Sequence, residues 1–134
     1  MPLQETLDTF TYFISEADKL NLSYICITRH SPFLDPTGRG TNHDVVASYG
    51  HLIKNSKRFY NAGYTAEEAA ALVSEGKADA IVFGMPFISH PDFAKRVQHG
   101  KPLDSQIDWK TVYGAGLSIE EERKGYSDYP AAEY

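Results

Sequence analysis

Four side chains that are suited to chemistry follow short apolar runs of the sequence, close to where predicted strands end. They are Arg29, His30, Asn61 and Met85. An imidazole has an ordinary pKa of about 6.5, so His30 is suited to general acid or base catalysis. The forked guanidinium of Arg29 is suited to a carboxylate or an enolate oxygen. These groups favour proton transfer on a small organic molecule. The alternatives are a loop histidine facing water and a surface ion pair of Arg29 with one of the 18 acidic residues.

The elements that must position these side chains alternate along the chain. The predicted strands span 22–28, 58–62 and 78–83, and the predicted helices span 3–20, 43–54, 65–75 and 91–99. Strands that alternate with helices across short turns predict right-handed crossovers and a parallel sheet. The first strand is expected to be buried on both faces, with Cys26 as a buried thiol. Because the carboxyl ends of parallel strands meet at one edge, the four side chains are expected to converge there.

The last part of the chain, residues 101–134, shows no clear period and is rich in aromatic residues, among them Trp109 and Tyr113. We expect it to form a tail that wraps the body. The whole chain, 1–134, is therefore predicted to be a single domain, with the βα units in 1–100.

Composition and charge argue against several classes of function. The chain has 134 residues with 13 basic and 18 acidic side chains and a net charge of −5, which disfavours nucleic acids and anionic membranes as partners. No apolar run approaches the roughly 20 residues that span a bilayer. A signal peptide is not apparent either, so a cytoplasmic location is expected. His43 and His51 are eight residues apart on a predicted helix, too far for one metal ion, and no metal site is predicted.

Several segments of the chain occur in the order and spacing of a known family. They are 59–69, 76–93, 100–103, 111–114 and 125–130, with a weaker match over 22–28 and the helix before it. These segments resemble the C-terminal part of the old yellow enzymes, a family of FMN-dependent ene reductases built on a TIM barrel. The resemblance implies an α/β fold that corresponds to the last three βα units of an eight-unit barrel, with parallel strands and an aromatic-rich C-terminal tail.

The resemblance also assigns roles to individual residues. Gly63 matches the glycine turn after the seventh strand, and Gly84 begins the motif Gly84-Met85-Pro86, so both are expected at a vestigial phosphate site. In that motif Met85 replaces the usual arginine, and a thioether cannot supply the charge-assisted donors that a phosphate requires. Tyr113 matches a tyrosine that lies close to flavin and substrate. The tyrosine that protonates the alkene and most flavin contacts belong to an upstream portion of the family with no counterpart here.

The leading hypothesis from the sequence is therefore an enzyme that has lost flavin chemistry. It predicts a cofactor-independent isomerase or cyclase of specialised metabolism that acts on a small molecule. The expected catalytic residues are His30, Arg29 and Tyr113, and the expected substrate-binding residues are Asn61, Met85 and Phe87. No cofactor is expected under this hypothesis, because the loss of a buried charged partner of phosphate costs about 2–5 kcal/mol of binding free energy.

Two alternatives remain at this point. One is an FMN- and NADPH-dependent ene reductase whose site is completed by oligomerisation or by a partner chain. The other is a non-catalytic binding or regulatory subunit of a full-length homologue. Three parallel strands leave two open edges and an uncovered face. A homodimer or a higher homo-oligomer is therefore expected, because the aromatic residues offer large apolar surfaces for an interface. The alternatives are that the long loop and the tail fold over the sheet or that a second protein covers it.

Overall fold

The computed structural model describes residues 2–113, 116, 118–125 and 128–134. The chain divides into two compact units, Met1–Val82 and Phe83–Tyr134, which are described separately. In unit 1 the elements are α1 (Leu3–Asp18), β1 (Tyr24–Thr28), α2 (Val45–Tyr49), a 3-10 turn (Gly50–Leu52), β2 (Lys57–Asn61), α3 (Ala66–Ser74) and β3 (Ala80–Val82). In unit 2 they are α4 (Met85–Ser89), α5 (Phe93–Gln98), α6 (Trp109–Val112) and α7 (Ile119–Arg123).

The three strands of unit 1 form a parallel sheet in the order β1-β2-β3. Thr28 is paired with Asn61, so the carboxyl ends of β1 and β2 lie side by side. The sequence-based prediction of a parallel three-stranded α/β sheet is confirmed.

One face of this sheet is buried and carries the core of unit 1. Ile27 and the fully buried Tyr60 lie on it, together with Tyr49 of α2 and Ile14 of α1. The ring of Phe10 approaches that of Tyr49 at 6.3 Å between centroids, which joins α1 to α2. Of the apolar stripe predicted for α1, Ile14 is buried and Leu7 and Ala17 are half-buried, whereas Leu3 and Phe10 are exposed, so the stripe packs only in part.

The opposite face of β1 is exposed, which contradicts the expectation of a strand buried on both sides. Tyr24, Cys26 and Thr28 are exposed and alternate with Ile25 and Ile27. The Cys26 thiol is thus not a buried core group. An apolar run predicts burial of a strand, but each face is buried only where another element covers it, and no described element of unit 1 covers this one. On the open face the rings of Tyr24 and Phe59 stack at 4.5 Å.

Unit 2 consists of short helices and irregular segments. Asp92 accepts hydrogen bonds from Arg96 Nε at 2.8 Å, from the N–H of Ala132 at 2.8 Å and from the hydroxyl of Tyr134 at 2.6 Å. Arg96 also donates to the carbonyl of Pro130 at 3.0 Å. The final residues are therefore held against α5. The wrapping tail and the single domain over 1–134 stay predictions.

None of the described helices is long and apolar enough to cross a membrane.

Candidate functional site

A turn with an unusual backbone follows β2. Ala62 and the next residue, Gly63, both have positive φ, of 80° and 72°. Glycine adopts this left-handed conformation readily, whereas alanine is strained in it. A side chain at Gly63 would meet no atom within 4 Å, so the turn borders open space. The turn therefore exposes backbone at the carboxyl edge of the sheet, where ligands of parallel α/β proteins bind.

Arg29, from the end of β1, holds this turn in place. Its Nε donates to the carbonyl of Ala62 at 2.8 Å, and its Nη2 donates to the carbonyl of Gly63 at 2.5 Å. Its own backbone N–H donates to the carbonyl of Asn61 at 3.2 Å. The side chain is thus committed to the backbone of the turn.

The guanidinium is in turn held by α3 and by the residue after the turn. Glu68 accepts from Nη1 at 3.2 Å and from Nη2 at 3.1 Å, and the ring of Tyr64 lies 3.8 Å below the guanidinium carbon. The hydrogen bond from Arg29, followed by that from the N–H of Thr65, lowers the pKa of the Glu68 carboxyl. The same carboxylate caps α3, because Thr65 and Glu68 form a capping box. One carboxylate therefore fixes both the helix start and Arg29.

The side chain of Asn61 lies beside the turn with an unsatisfied polar atom. Its Oδ1 is buried and, among the described residues, has no hydrogen-bond partner. A carboxamide has two N–H donors and one acceptor oxygen, whose positions depend on how the group is turned. A buried polar group without a partner costs free energy unless a ligand pairs with it. Asn61 is therefore suited to contact a polar ligand at this edge.

His30 is directed to the loop that follows it. Its Nε2 lies 3.4 Å from Oδ2 of Asp35. Asp35 accepts from the N–H of Gly40 at 2.7 Å and of Arg39 at 3.0 Å, and these bonds, that of Gly40 foremost, lower the pKa of its carboxyl. A Cβ at Gly40 would come within 2.9 Å of Asp35 Oδ2 and 3.0 Å of the His30 ring, so a larger residue there would displace these side chains. The predicted catalytic role of His30 stays a prediction.

The other predicted site residues belong to unit 2. Gly84 precedes α4, whose first residue is Met85, and a Cβ at Gly84 would meet no atom within 4 Å. The ring of Phe87 contacts that of Phe93 at 4.9 Å, although nearly half of its surface is exposed. Tyr113 follows α6 and is 82% exposed. Their substrate and cofactor roles stay predictions. Gly114, Tyr126 and Ser127, which belong to the matching segments, lie outside the described residues.

Two of the cavities in unit 1 border the residues described above. One of about 870 Å³ borders α2 and α3 and is lined by both acidic and basic groups, among them Glu68 and Arg58. The other, of about 270 Å³, is lined by Thr28, His30 and Thr41 among others. Across the described residues, no group of three or more histidine, cysteine or acidic side chains could hold a metal ion.

The sequence did not identify Tyr64 and Glu68 as part of this arrangement. The motif from Thr65 to Glu68 predicts a capping box, which the structure confirms, but it gives no sign that the same carboxylate also pairs with Arg29. The partners are 39 residues apart, and only the parallel pairing of β1 with β2 brings them together.

Comparison with known proteins identifies relatives of this chain. No family model matches the chain. It is 30% identical over 119 residues to a probable flavin mononucleotide-dependent alkene reductase of Leishmania infantum, covering 89% of this chain and 29% of the relative. It is 33% identical over 134 residues to a chanoclavine-I aldehyde reductase of Penicillium roqueforti, covering 96% of this chain and 34% of the relative. The old yellow enzyme of Trypanosoma cruzi superimposes with a TM-score of 0.70 at 28% identity, over 92% of this chain and 29% of that one. This chain is homologous to the old yellow enzymes.

The match covers the C-terminal portion of the old yellow enzymes, as the motif segments indicate, and the three parallel strands are consistent with part of their barrel. Morphinone reductase, a further structural neighbour, aligns over 91% of this chain and 30% of its own at a TM-score of 0.66 and 28% identity. The chain thus spans about a third of the length of the relatives it matches.

These relatives overturn two predictions. The expected cofactor-independent isomerase or cyclase is wrong, because the relatives are named as reductases and oxidoreductases. The expectation of no cofactor is wrong as well, since relatives are named for flavin mononucleotide or flavin. Both predictions depended on the substitution at Met85 and on residues outside this stretch. The turn at Gly63, with Asn61 beside it, is nevertheless present and exposes its backbone at the carboxyl edge of the sheet.

Proposed function

We propose that this chain forms part of the barrel of an FMN-dependent ene reductase and contributes contacts to the phosphate of FMN. The observation that supports this most directly is the turn after β2, where Ala62 and Gly63 have positive φ and Gly63 borders open space. The remaining strands lie outside these 134 residues, in the same polypeptide, in another copy or in a partner chain.

The residues of the turn fit a phosphate group. Phosphates bind where backbone N–H groups converge, and a glycine lets the backbone come close to the oxygen atoms. A side chain at Gly63 would occupy the space that the phosphate needs. The turn also leads directly into α3, a helix of nine residues whose N-terminal dipole favours negative charge. Asn61 can add a side-chain N–H to these backbone groups.

FMN, when bound, supplies hydride transfer, and the protein supplies binding and orientation. The chain's own task at the turn is to hold the phosphate end in one position through neutral donors. Glu68 already neutralises Arg29, so this ion pair offers the phosphate no free positive charge. We propose a small molecule with an activated carbon–carbon double bond as the substrate class, on the basis of the relative named as an alkene reductase. Within unit 1, His30 is proposed to contact this substrate.

The exposed face of the sheet supports assembly into a larger barrel. Tyr24, Cys26 and Phe59 form an apolar surface there, with the two rings stacked. In a closed barrel such side chains fill the interior. We propose that further strands, from this protein or a second copy, cover this face.

The proposal is tested by binding of FMN and of riboflavin, which lacks the phosphate, to the purified protein, followed by flavin fluorescence. We expect FMN to bind at least about tenfold more tightly, which corresponds to about 1.4 kcal/mol. Asn61→Asp places a negative charge beside the phosphate and should remove this preference. Asn61→Ala, the control for the lost side chain, should reduce it less. Equal affinity of the wild-type protein for the two flavins would refute the proposal.

A further inference from the structure

Arg29 differs from an ordinary anion-binding arginine in the acceptors to which its N–H groups donate. A guanidinium has five N–H donors. Four hydrogen bonds are formed here, two to the carbonyls of Ala62 and Gly63 and two to the carboxylate of Glu68. The side chain is thus directed at the backbone of the turn and at its own counter-ion. The guanidinium lies on the carbonyl side of the turn, so it is not itself a ligand of a phosphate on the opposite, N–H side.

We infer that Arg29 is a positioning residue that aims the backbone N–H groups of Gly63 and Tyr64 at the phosphate. The inference rests on the proposed function. In a trans peptide the C=O and the N–H point in opposite directions. Because Arg29 binds the carbonyl of Ala62, the N–H of Gly63 in the same peptide points away from the guanidinium. Because it also binds the carbonyl of Gly63, the N–H of Tyr64 points away as well.

The turn needs such a clamp because its backbone is strained. Ala62 has a φ of 80°, a conformation that persists only where the surroundings hold it. The following Gly63 has no steric preference that would keep the chain there. Without the two hydrogen bonds from Arg29, we expect both residues to leave the left-handed conformation and the two N–H groups to diverge.

Arg29 is itself kept rigid by two contacts. The carboxylate of Glu68 meets it side by side, and the ring of Tyr64 covers one face of the guanidinium at 3.8 Å. Because Glu68 also accepts from the N–H of Thr65 at 2.8 Å, the clamp is anchored to the first turn of α3. A planar fork can reach both carbonyls and the carboxylate together, whereas the single ammonium of a lysine cannot.

The test compares Arg29→Met and Arg29→Lys with a matched control, Arg58→Met. Arg58 has the same exposed side-chain fraction as Arg29, 30%, and pairs with Asp79, but it does not contact the turn. The first measurement uses no ligand and records backbone order parameters of Gly63 and Tyr64 by NMR. A rigid backbone has a value of about 0.85 and a flexible one less than about 0.6. We expect the rigid value in the wild type and in Arg58→Met, and a fall toward the flexible value in Arg29→Met.

The second measurement is the ratio of the affinities for FMN and riboflavin. Arg29→Met should lower FMN affinity about tenfold or more and leave riboflavin affinity unchanged, and Arg29→Lys should fall between. Arg58→Met should keep the wild-type ratio. If the wild type prefers FMN and Arg29→Met keeps that preference, the role of Arg29 is refuted, whereas the proposed function stands.

Other outcomes separate the inference from the proposed function. Unchanged order parameters in Arg29→Met refute the clamp whatever the flavin affinities are. A wild type that does not distinguish the two flavins refutes the proposed function and, with it, the role of Arg29 toward phosphate. If Arg29→Met does not fold, the same two measurements on Arg29→Lys, which retains the charge, test the inference. A Lys variant with the order parameters and affinity ratio of the wild type overturns the inference.

Discussion

The buried carboxylate of Asp18 is expected to be a main support of unit 1. It ends α1 and is 3% exposed. It accepts from the backbone N–H of Lys54 at 2.8 Å, of Asn55 at 3.0 Å and of Ser56 at 2.9 Å, in the segment that leads into β2. Burial raises the pKa of this carboxyl, but these hydrogen bonds outweigh burial and the pKa is lowered. The carboxylate thus joins α1 to the start of the central strand.

Asp18→Asn keeps the shape and removes the charge. A hydrogen bond to a charged group contributes about 1.5–3 kcal/mol, and the amide, with one acceptor oxygen, cannot serve all three donors. We therefore expect a loss of about 2–4 kcal/mol in the free energy of unfolding of unit 1. At about 1–3 kcal/mol per molar urea, the midpoint should fall by on the order of 1 M. The assay is urea unfolding followed by the amide NMR signals of β1 and β2, which report on unit 1 alone.

The control is Asp8→Asn on the exposed side of α1, where Asp8 accepts a hydrogen bond from the side chain of Gln4. It should change the unfolding free energy by less than about 0.5 kcal/mol. Because the folded-state pKa of Asp18 is lowered, its stabilisation is present above the unfolded value of about 3.9 and is lost as pH falls through the folded value. The difference between wild type and Asp18→Asn should therefore shrink below about pH 4. An Asp18→Asn protein as stable as Asp8→Asn, or a difference that persists at lower pH, would refute this reasoning.

Two further predictions concern packing and the C-terminal contacts. A Cβ at Gly50 would lie 2.9 Å from the unpaired, buried hydroxyl of Tyr60. Gly50→Ala should therefore lower the free energy of unfolding by about 1–3 kcal/mol in the wild type and by much less in Tyr60→Phe. A double-mutant cycle by urea unfolding checks this, and additive effects would contradict it. Partial burial and the hydrogen bond to Asp92 raise the pKa of Tyr134 to about 12. Tyr134→Phe should therefore raise the pKa of Asp92 in a carboxyl NMR titration, while Tyr129→Phe should not, and equal shifts in the two variants would contradict the assignment.

The sequence was most informative where the local pattern decides the structure. Alternating strands and helices predicted the parallel sheet, and the motif from Thr65 to Glu68 predicted the capped start of α3. It was least informative where a distant partner decides. The exposure of Cys26 depends on what covers the sheet, and the commitment of Arg29 to Ala62 depends on strand pairing.

A few boundaries were also missed for local reasons. The structure has an additional short helix, α4, at the motif Gly84-Met85-Pro86, where Pro86 near the first helical position was an available signal. The helix predicted over 43–54 is shorter, because it ends in a 3-10 turn at Gly50–Leu52. The phosphate-binding expectation for Gly63 could be formed from the resemblance, but the unpaired atom of Asn61 could not, since it depends on the packing around the strand end.

The most direct test of the account is a pair of NMR titrations of the amide signals of the isotope-labelled wild-type protein, one with FMN and one with riboflavin. If the turn binds the phosphate, the signals of Gly63 and Tyr64 shift with FMN and stay in place with riboflavin. Signals at both positions that respond equally to the two flavins, or to neither, would contradict it.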